Sequence, residues 1–162
     1  MDKAQFAGMS FEQVVDKFKN TVGAVCVVRL NNRYDADDCF QNTFLRLYKK
    51  SPDFKDEEHL KAWLIHTAIN ECKRFMRKNR PYFSLDDSST VMLSFPQEKC
   101  DMSWALFELD TKYRDVIYLY YCEKYKVNEI AQILKKSPNT VKTLLRRGRE
   151  KLKILYGGVD DE

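Results

Sequence analysis

The stretch from Val127 to Leu155 leaves the chain little choice of local structure. It holds two apolar repeats of helical period, interrupted by Lys135-Lys136-Ser137-Pro138. Ile130, Ala131 and Leu134 share one face of the first repeat. Val141, Leu145, Gly148 and Leu152 follow at i, i+4, i+7 and i+11 in the second. Ser137 is a good N-cap, and Pro138 suits a first helical position, where no N–H is needed. The spacing predicts a helix over 127–134, a turn, and a second helix from 138. Ala131 is small where another helix must cross. Gly148 inside a helix costs about 1 kcal/mol against alanine, and a close helix contact explains its presence.

The remaining face of the second helix carries Asn139, Lys142, Thr143 and Arg146, with Arg147 and Arg149 at its sides. From Lys135 to Lys153, eight Lys or Arg stand against one acid, Glu150, in a chain whose net charge is only +4. A second basic run, Lys73 to Arg80, has five bases and no acid. The rest of the chain is therefore net acidic, and two separate places suit a polyanion. In a helix-turn-helix, the N-terminal residues of the second helix enter the major groove and meet base edges. Arg matches guanine there and Asn matches adenine. Lys136, Thr140, Arg147 and Arg149 are expected on phosphates, which fix register without reading sequence.

Upstream, residues 9–80 read as helices with short breaks. Ser10 precedes Phe11, Val14, Val15 and Phe18, which share a helical face. A polar turn at Asn31-Asn32-Arg33 leads to a second helix from near Asp35 to about Lys50. Its apolar stripe is Phe40, Phe44, Leu47 and Tyr48. Ser51-Pro52 ends it. A third helix opens on Asp56-Glu57-Glu58 and closes on Arg77 and Lys78, a polarity that suits the helix dipole. Pro81, the run from Asp86 to Thr90, and Pro96 interrupt any periodicity over 81–100, with a weak strand tendency at Val91–Phe95. Helical pattern resumes over 101–156. The expected fold is all-α: two small helical domains, 1–80 and 101–162, joined by a flexible linker at 81–100.

Catalytic chemistry has no footing. Only five glycines occur, none grouped into a phosphate-cradling loop. The only two histidines, His59 and His66, have no second ligand placed for metal. Five cysteines, Cys26, Cys39, Cys72, Cys100 and Cys122, include no CxxC pair, and most sit among apolar residues as small hydrophobes. No signal peptide or membrane span is evident. A cytosolic protein with reduced thiols, no cofactor, no metal and no enzymatic activity is expected.

The helix-turn-helix half resembles region four of the extracytoplasmic-function (ECF) sigma factors, members of the sigma-70 family. The resemblance runs through Ala105-Leu106 with Leu109, Tyr113-Arg114, Glu129-Ile130-Ala131, Thr140-Val141-Lys142 and Arg147-Gly148-Arg149. Asp35-Ala36-Asp37-Asp38 with Gln41 and Phe44, then Trp63-Leu64, Ala68 and Asn70, resemble region two. No one of these short motifs is specific; both halves in this order, with the linker between them, are. The resemblance implies a factor that binds core RNA polymerase and directs it to promoters. Region four then recognises the −35 element, and region two opens and reads the −10 element.

The resemblance also implies roles for residues. Asp37, Asp38 and Gln41, with Phe44 or Leu45 as apolar area, would dock on the clamp helices of the polymerase β′ subunit. Region four would meet the β flap. Phe54, Lys61, Trp63 and Asn70 would hold an unstacked base, repaying the few kcal/mol that unstacking costs. Lys73, Arg74 and Arg77 would bind phosphates. An anti-sigma factor is implied as a partner; a membrane is not. Simpler readings stay open: Asp37 and Asp38 as a stabilising acidic first turn, Phe54 as a loop anchor, Trp63 as core. Asn42 stands where the family usually has Glu, Arg74 near a position often acidic, and Asp110 where Pro is common. A dimeric helix-turn-helix regulator acting without polymerase accounts equally for 127–155, but not for the Asp35–Phe44 segment.

Overall fold

The computed structural model describes residues 5–30, 32–78 and 103–156. The chain divides into two compact units, Met1–Ser94 and Phe95–Glu162. The expected linker at 81–100 and the strand tendency at Val91–Phe95 lie outside the described residues. Both units are helical, as the sequence leads one to expect.

The first unit opens on a small antiparallel hairpin, β1 (Gln5–Phe6) and β2 (Met9–Ser10), with Gln5 opposite Ser10 and Phe6 opposite Met9. The helical reading of the sequence missed it, because two-residue strands carry no period. Its turn residues Ala7 and Gly8 both have positive φ, 51° and 82°, as the tight primed hairpin turns require. Phe6 is fully buried, its ring edge-on to Phe11. The hairpin thereby seats the start of α1 (Phe11–Leu30). A reciprocal cap follows: Gln13 N–H donates to Ser10 Oγ at 3.2 Å, and Ser10 N–H donates to Gln13 Oε1 at 2.8 Å.

Three long helices make this unit: α1, α2 (Arg33–Lys50) and α3 (Glu57–Lys78), each packed on the other two. Asn32 caps α2, its side chain accepting from Asp35 N–H at 3.1 Å. Ser51 closes it in the left-handed conformation. Val14, Val22, Leu47, Leu60, Leu64 and Ile65 are buried where the helices meet, each worth roughly 1.5–3 kcal/mol of apolar burial. Two polar features sit among them. Arg46 pairs with the buried Glu71 carboxylate. Cys26, Cys39 and Cys72, one from each helix, are free, buried and hydrogen-bonded through Cys72. The hydrogen bond to Cys72, then burial, pushes the Cys39 thiol far above the ordinary range. Cys72 is raised by its bond with Cys26 and by burial.

The second unit is built from shorter pieces: α4 (Ser103–Leu106), α5 (Thr111–Ile117), a π-helical turn (Tyr118–Cys122), α6 (Val127–Leu134) and α7 (Pro138–Tyr156). Local devices set most of its boundaries. Asp110 occupies the N-cap position of α5, and Arg114 Nη2 donates to Leu109 O at 3.0 Å. The turn between α6 and α7 has Lys135 at φ 58° and Lys136 N–H donating to Ala131 O at 2.9 Å, a Schellman-type stop. Thr140 N–H then donates to Ser137 Oγ at 3.1 Å, so Ser137 caps α7 and Pro138 begins it. Gly148 sits where α7 crosses α5: a Cβ there would lie 3.0 Å from Ile117 Cγ1 and 3.5 Å from Tyr113 Cβ. Cys122 is disulfide-bonded, which corrects the expectation that all thiols are reduced. Cysteine spacing along a sequence carries no trace of such a pairing.

Candidate nucleic-acid interface

Val141, Leu145, Gly148 and Leu152 are buried, so the opposite face of α7 is fixed outward. Asn139, Lys142 and Arg146 are exposed there, and Thr143 is half-buried beside them. Lys136, Thr140 and Arg147 are exposed as well. The Thr140 hydroxyl lies 2.9 Å from Ser137 Oγ, within the cap. Arg146 Nη1 donates to Glu150 Oε1 at 2.9 Å across one helical turn. An exposed pair of this kind is worth only about 0.3–0.5 kcal/mol, weak enough for a base edge or a phosphate to displace. Arg149 is held more firmly. Its Nε donates to Tyr121 Oη at 2.6 Å, and its guanidinium lies 5.3 Å and 5.6 Å from the ring centres of Tyr120 and Tyr121.

The second cationic surface runs along α3. Trp63, His66, Asn70, Lys73, Arg74 and Arg77 fall on one side of the helix at 3.6-residue spacing, and from Asn70 onward the named residues are exposed. Lys61 does not join them; the same spacing puts it about half a turn away. Asn70 Nδ2 donates to His66 Nε2 at 3.0 Å. The loop before α3 supplies Phe54, half-buried and edge-on to Trp63 at 5.8 Å and to His59 at 5.3 Å. His59 orders the loop: its Nδ1 accepts from Lys55 N–H at 3.1 Å, and its own N–H donates to Asp56 Oδ1 at 2.8 Å. Neither His59 nor His66 was assigned a role from sequence.

A third surface lies on α2. Tyr34, Asp38, Gln41, Leu45 and Tyr48 are all exposed, at 79% for Tyr34, 49% for Leu45 and 60% for Tyr48. Their spacing of four, three, four and three residues is that of a seam that packs on another helix. Asp37 flanks the seam. Two sequence expectations change here. Phe44 is buried against Phe11 and Phe40, so Leu45 alone of the two apolar candidates reaches the surface. Tyr48, assigned to the inner stripe, stands outside with only its ring edge on Phe11. Tyr34 was not singled out, although the same spacing reveals it.

A family model for sigma-70 region 2 matches residues 14–82, and one for sigma-70 region 4 matches residues 105–152. The chain is 28% identical over 163 residues to the ECF RNA polymerase sigma factor SigW of Bacillus subtilis, covering 89% of this chain and 87% of that relative. Against the RNA polymerase sigma factor SigV of the same organism it is 30% identical over 129 residues, covering 77% and 78%. The chain belongs to the ECF sigma factors of the sigma-70 family.

This sigma factor also shares its fold with the sigma factor RpoE from Bartonella quintana, solved in complex with the anti-sigma factor NepR, at a TM-score of 0.71 and 22% identity over 93% of this chain and 98% of that one. The family matched by both models and by these relatives directs transcription through RNA polymerase rather than catalysing a reaction. The three surfaces fall within the matched segments: α2 and α3 in region 2, α7 in region 4. Among the described residues of the sigma factor, no helix is long and apolar enough to cross a membrane, and no group of His, Cys, Asp or Glu is placed to hold a metal ion.

Proposed function

We propose that this sigma factor reads a −35 element with α7 and opens and reads a −10 element with α3 and its preceding loop, while α2 holds core polymerase. The observation that carries the reading is the outward face of α7. Asn139, Lys142 and Arg146 project from a helix whose other side is locked by buried anchors. That is the geometry by which a helix-turn-helix presents side chains to base edges. Asn139, Lys142, Thr143 and Arg146 are assigned to bases; Lys136, Thr140, Arg147 and Arg149 are assigned to phosphates. On α3, Trp63 and Asn70 with Phe54 receive an unstacked base, and Lys73, Arg74 and Arg77 hold the strand. Lys61 is left without a part, because it does not share their face.

On α2, the seam of Tyr34, Asp38, Gln41, Leu45 and Tyr48 suits a partner helix carrying positive charge and an apolar stripe, as the β′ clamp helices do in the family. Region four takes the β flap in the same scheme. The structural relative solved with the anti-sigma factor NepR supports an anti-sigma factor as a further partner.

Reconstituted transcription tests this reading. With core polymerase and a library of genomic fragments, the protein should give promoter-specific run-off products. Asp38→Arg and Leu45→Asp should each weaken polymerase binding by tenfold or more, an effect on the order of 1.4–2 kcal/mol. Arg146→Ala should relax sequence preference at one base pair of the −35 element. A protein that bound duplex as a dimer and ignored core polymerase would instead be a regulator of the simpler helix-turn-helix kind.

A further inference from the structure

Arg149 is built into its place by one hydrogen bond and two aromatic rings. The π-turn at Tyr118–Cys122 brings this about. Its widened ring is closed by Glu123 N–H donating to Tyr118 O at 3.2 Å. Successive residues on an α-helix point about 100° apart. The wider turn narrows that angle, and both Tyr120 and Tyr121 reach the same guanidinium. Their rings meet each other edge-on, 4.9 Å apart. The turn is pinned from within, since the buried Tyr118 hydroxyl donates to Glu123 Oε2 at 2.6 Å. Beyond Arg149, along α7, a cavity of about 290 Å³ is lined by Arg146, Arg149, Glu150 and Lys153.

We propose that Tyr121 is a positioning residue for DNA binding: its hydroxyl holds Arg149 so that the guanidinium faces this cavity, which takes one backbone phosphate. The proposal rests on the reading above that α7 lies on promoter DNA, and adds to it which phosphate contact is pre-set and by what. Guanidinium and phosphate pair best through two parallel N–H donors in a fixed plane. A long arginine side chain normally loses rotamer freedom to reach that plane. Here the Nε bond to Tyr121 and the two ring faces fix the plane before DNA arrives. Arg146 has no such support, only an exposed partner it can exchange, as a side chain that must choose among bases requires. Glu150, the one acid among the lining residues, has its charge offset by Arg146.

The test uses the full chain assembled with core polymerase and a promoter duplex selected from a random library. Binding is read as affinity against salt concentration. Arg149→Ala should lower affinity more than tenfold and reduce the salt slope by about 0.9, the loss of one phosphate contact. Tyr121→Phe keeps the ring and every cation. It should weaken binding about fivefold, the rotamer freedom that a released Arg149 must then give up on binding, with the salt slope unchanged. In an Arg149→Lys background, which keeps the charge but not the plane, Tyr121→Phe should have no further effect. A methylphosphonate scan of the −35 duplex should find one phosphate whose neutralisation hurts the wild type and not Arg149→Ala. If Arg149→Ala weakens binding and Tyr121→Phe does not, or costs the same in both backgrounds, Tyr121 does not act through Arg149 and the proposal is wrong while the DNA reading stands. If Arg149→Ala leaves affinity and slope untouched, both fall.

Discussion

The two units present cationic helices of similar length, α3 and α7, but they hold them by opposite means. α3 is held along its run by two other long helices, so its position is a property of the whole three-helix core. α7 is held by local devices at a few points: the Ser137 cap, the left-handed Lys135, the Gly148 crossing and the tyrosine pair at Arg149. The difference teaches where each unit is vulnerable. In the first, damage should come from disturbing shared burial far from the nucleic-acid surface. In the second, single residues at turns and crossings should decide whether the helix exists in the right place.

The hardest blow should be Gly148→Leu. Even a lone Cβ meets Ile117 Cγ1 at 3.0 Å, so the crossing helices must separate, at an expected cost of about 4 kcal/mol. Two-dimensional NMR of the full chain should then lose dispersion for residues 103–156 and keep it for 5–78. Loss across both segments would break the comparison. Next comes Arg46→Met, which strips the partner from the buried Glu71 carboxylate. Removing one side of a buried pair costs 3–5 kcal/mol, and partial exposure of Arg46 favours the low end, about 3 kcal/mol. Urea unfolding followed at Trp63 measures it; a shift under 1 kcal/mol would mean that water already serves that carboxylate.

Two substitutions should sharpen the contrast by stabilising. Lys135→Gly relieves a long side chain held at φ 58° and should add about 1 kcal/mol to the second unit. Ala7→Asn gives the hairpin the Asn-Gly pair that its turn favours and should add about 0.5 kcal/mol to the first. Thermal unfolding of each variant checks both. A larger gain at position 7 than at position 135 would contradict the view that local turns matter most in the second unit.

Legibility in the sequence follows the same division. The turn between α6 and α7 could be placed closely because capping is local chemistry: Ser137, Pro138 and the apolar spacing all act within one turn. The long helices of the first unit were equally visible, since their periodicity persists over many turns. Faces were harder. Tyr48 lies between the inner stripe and the outer seam, and its apolar ring satisfied either count until packing placed it outside. Phe44 and Leu45, one residue apart, were interchangeable as surface candidates because only the neighbours Phe11 and Phe40 decide which is covered. Lys61 fitted the basic surface by sequence proximity alone. The π-turn was invisible: Tyr118–Cys122 is apolar enough to continue a helix, and nothing in its spacing announces a wider ring.

The three thiols at the centre of the first unit have a practical consequence. The bond to Cys72 for Cys39, the bond with Cys26 for Cys72, and burial for both keep these two thiols protonated, and a protonated thiol is a poor nucleophile. An alkylating reagent can therefore reach them only when the helices part, so the rate of their modification is a clock for that opening. For the same reason a single cysteine introduced on the outside of this unit would take up a dye well ahead of the native ones, and the sigma factor can be tagged there without first removing them.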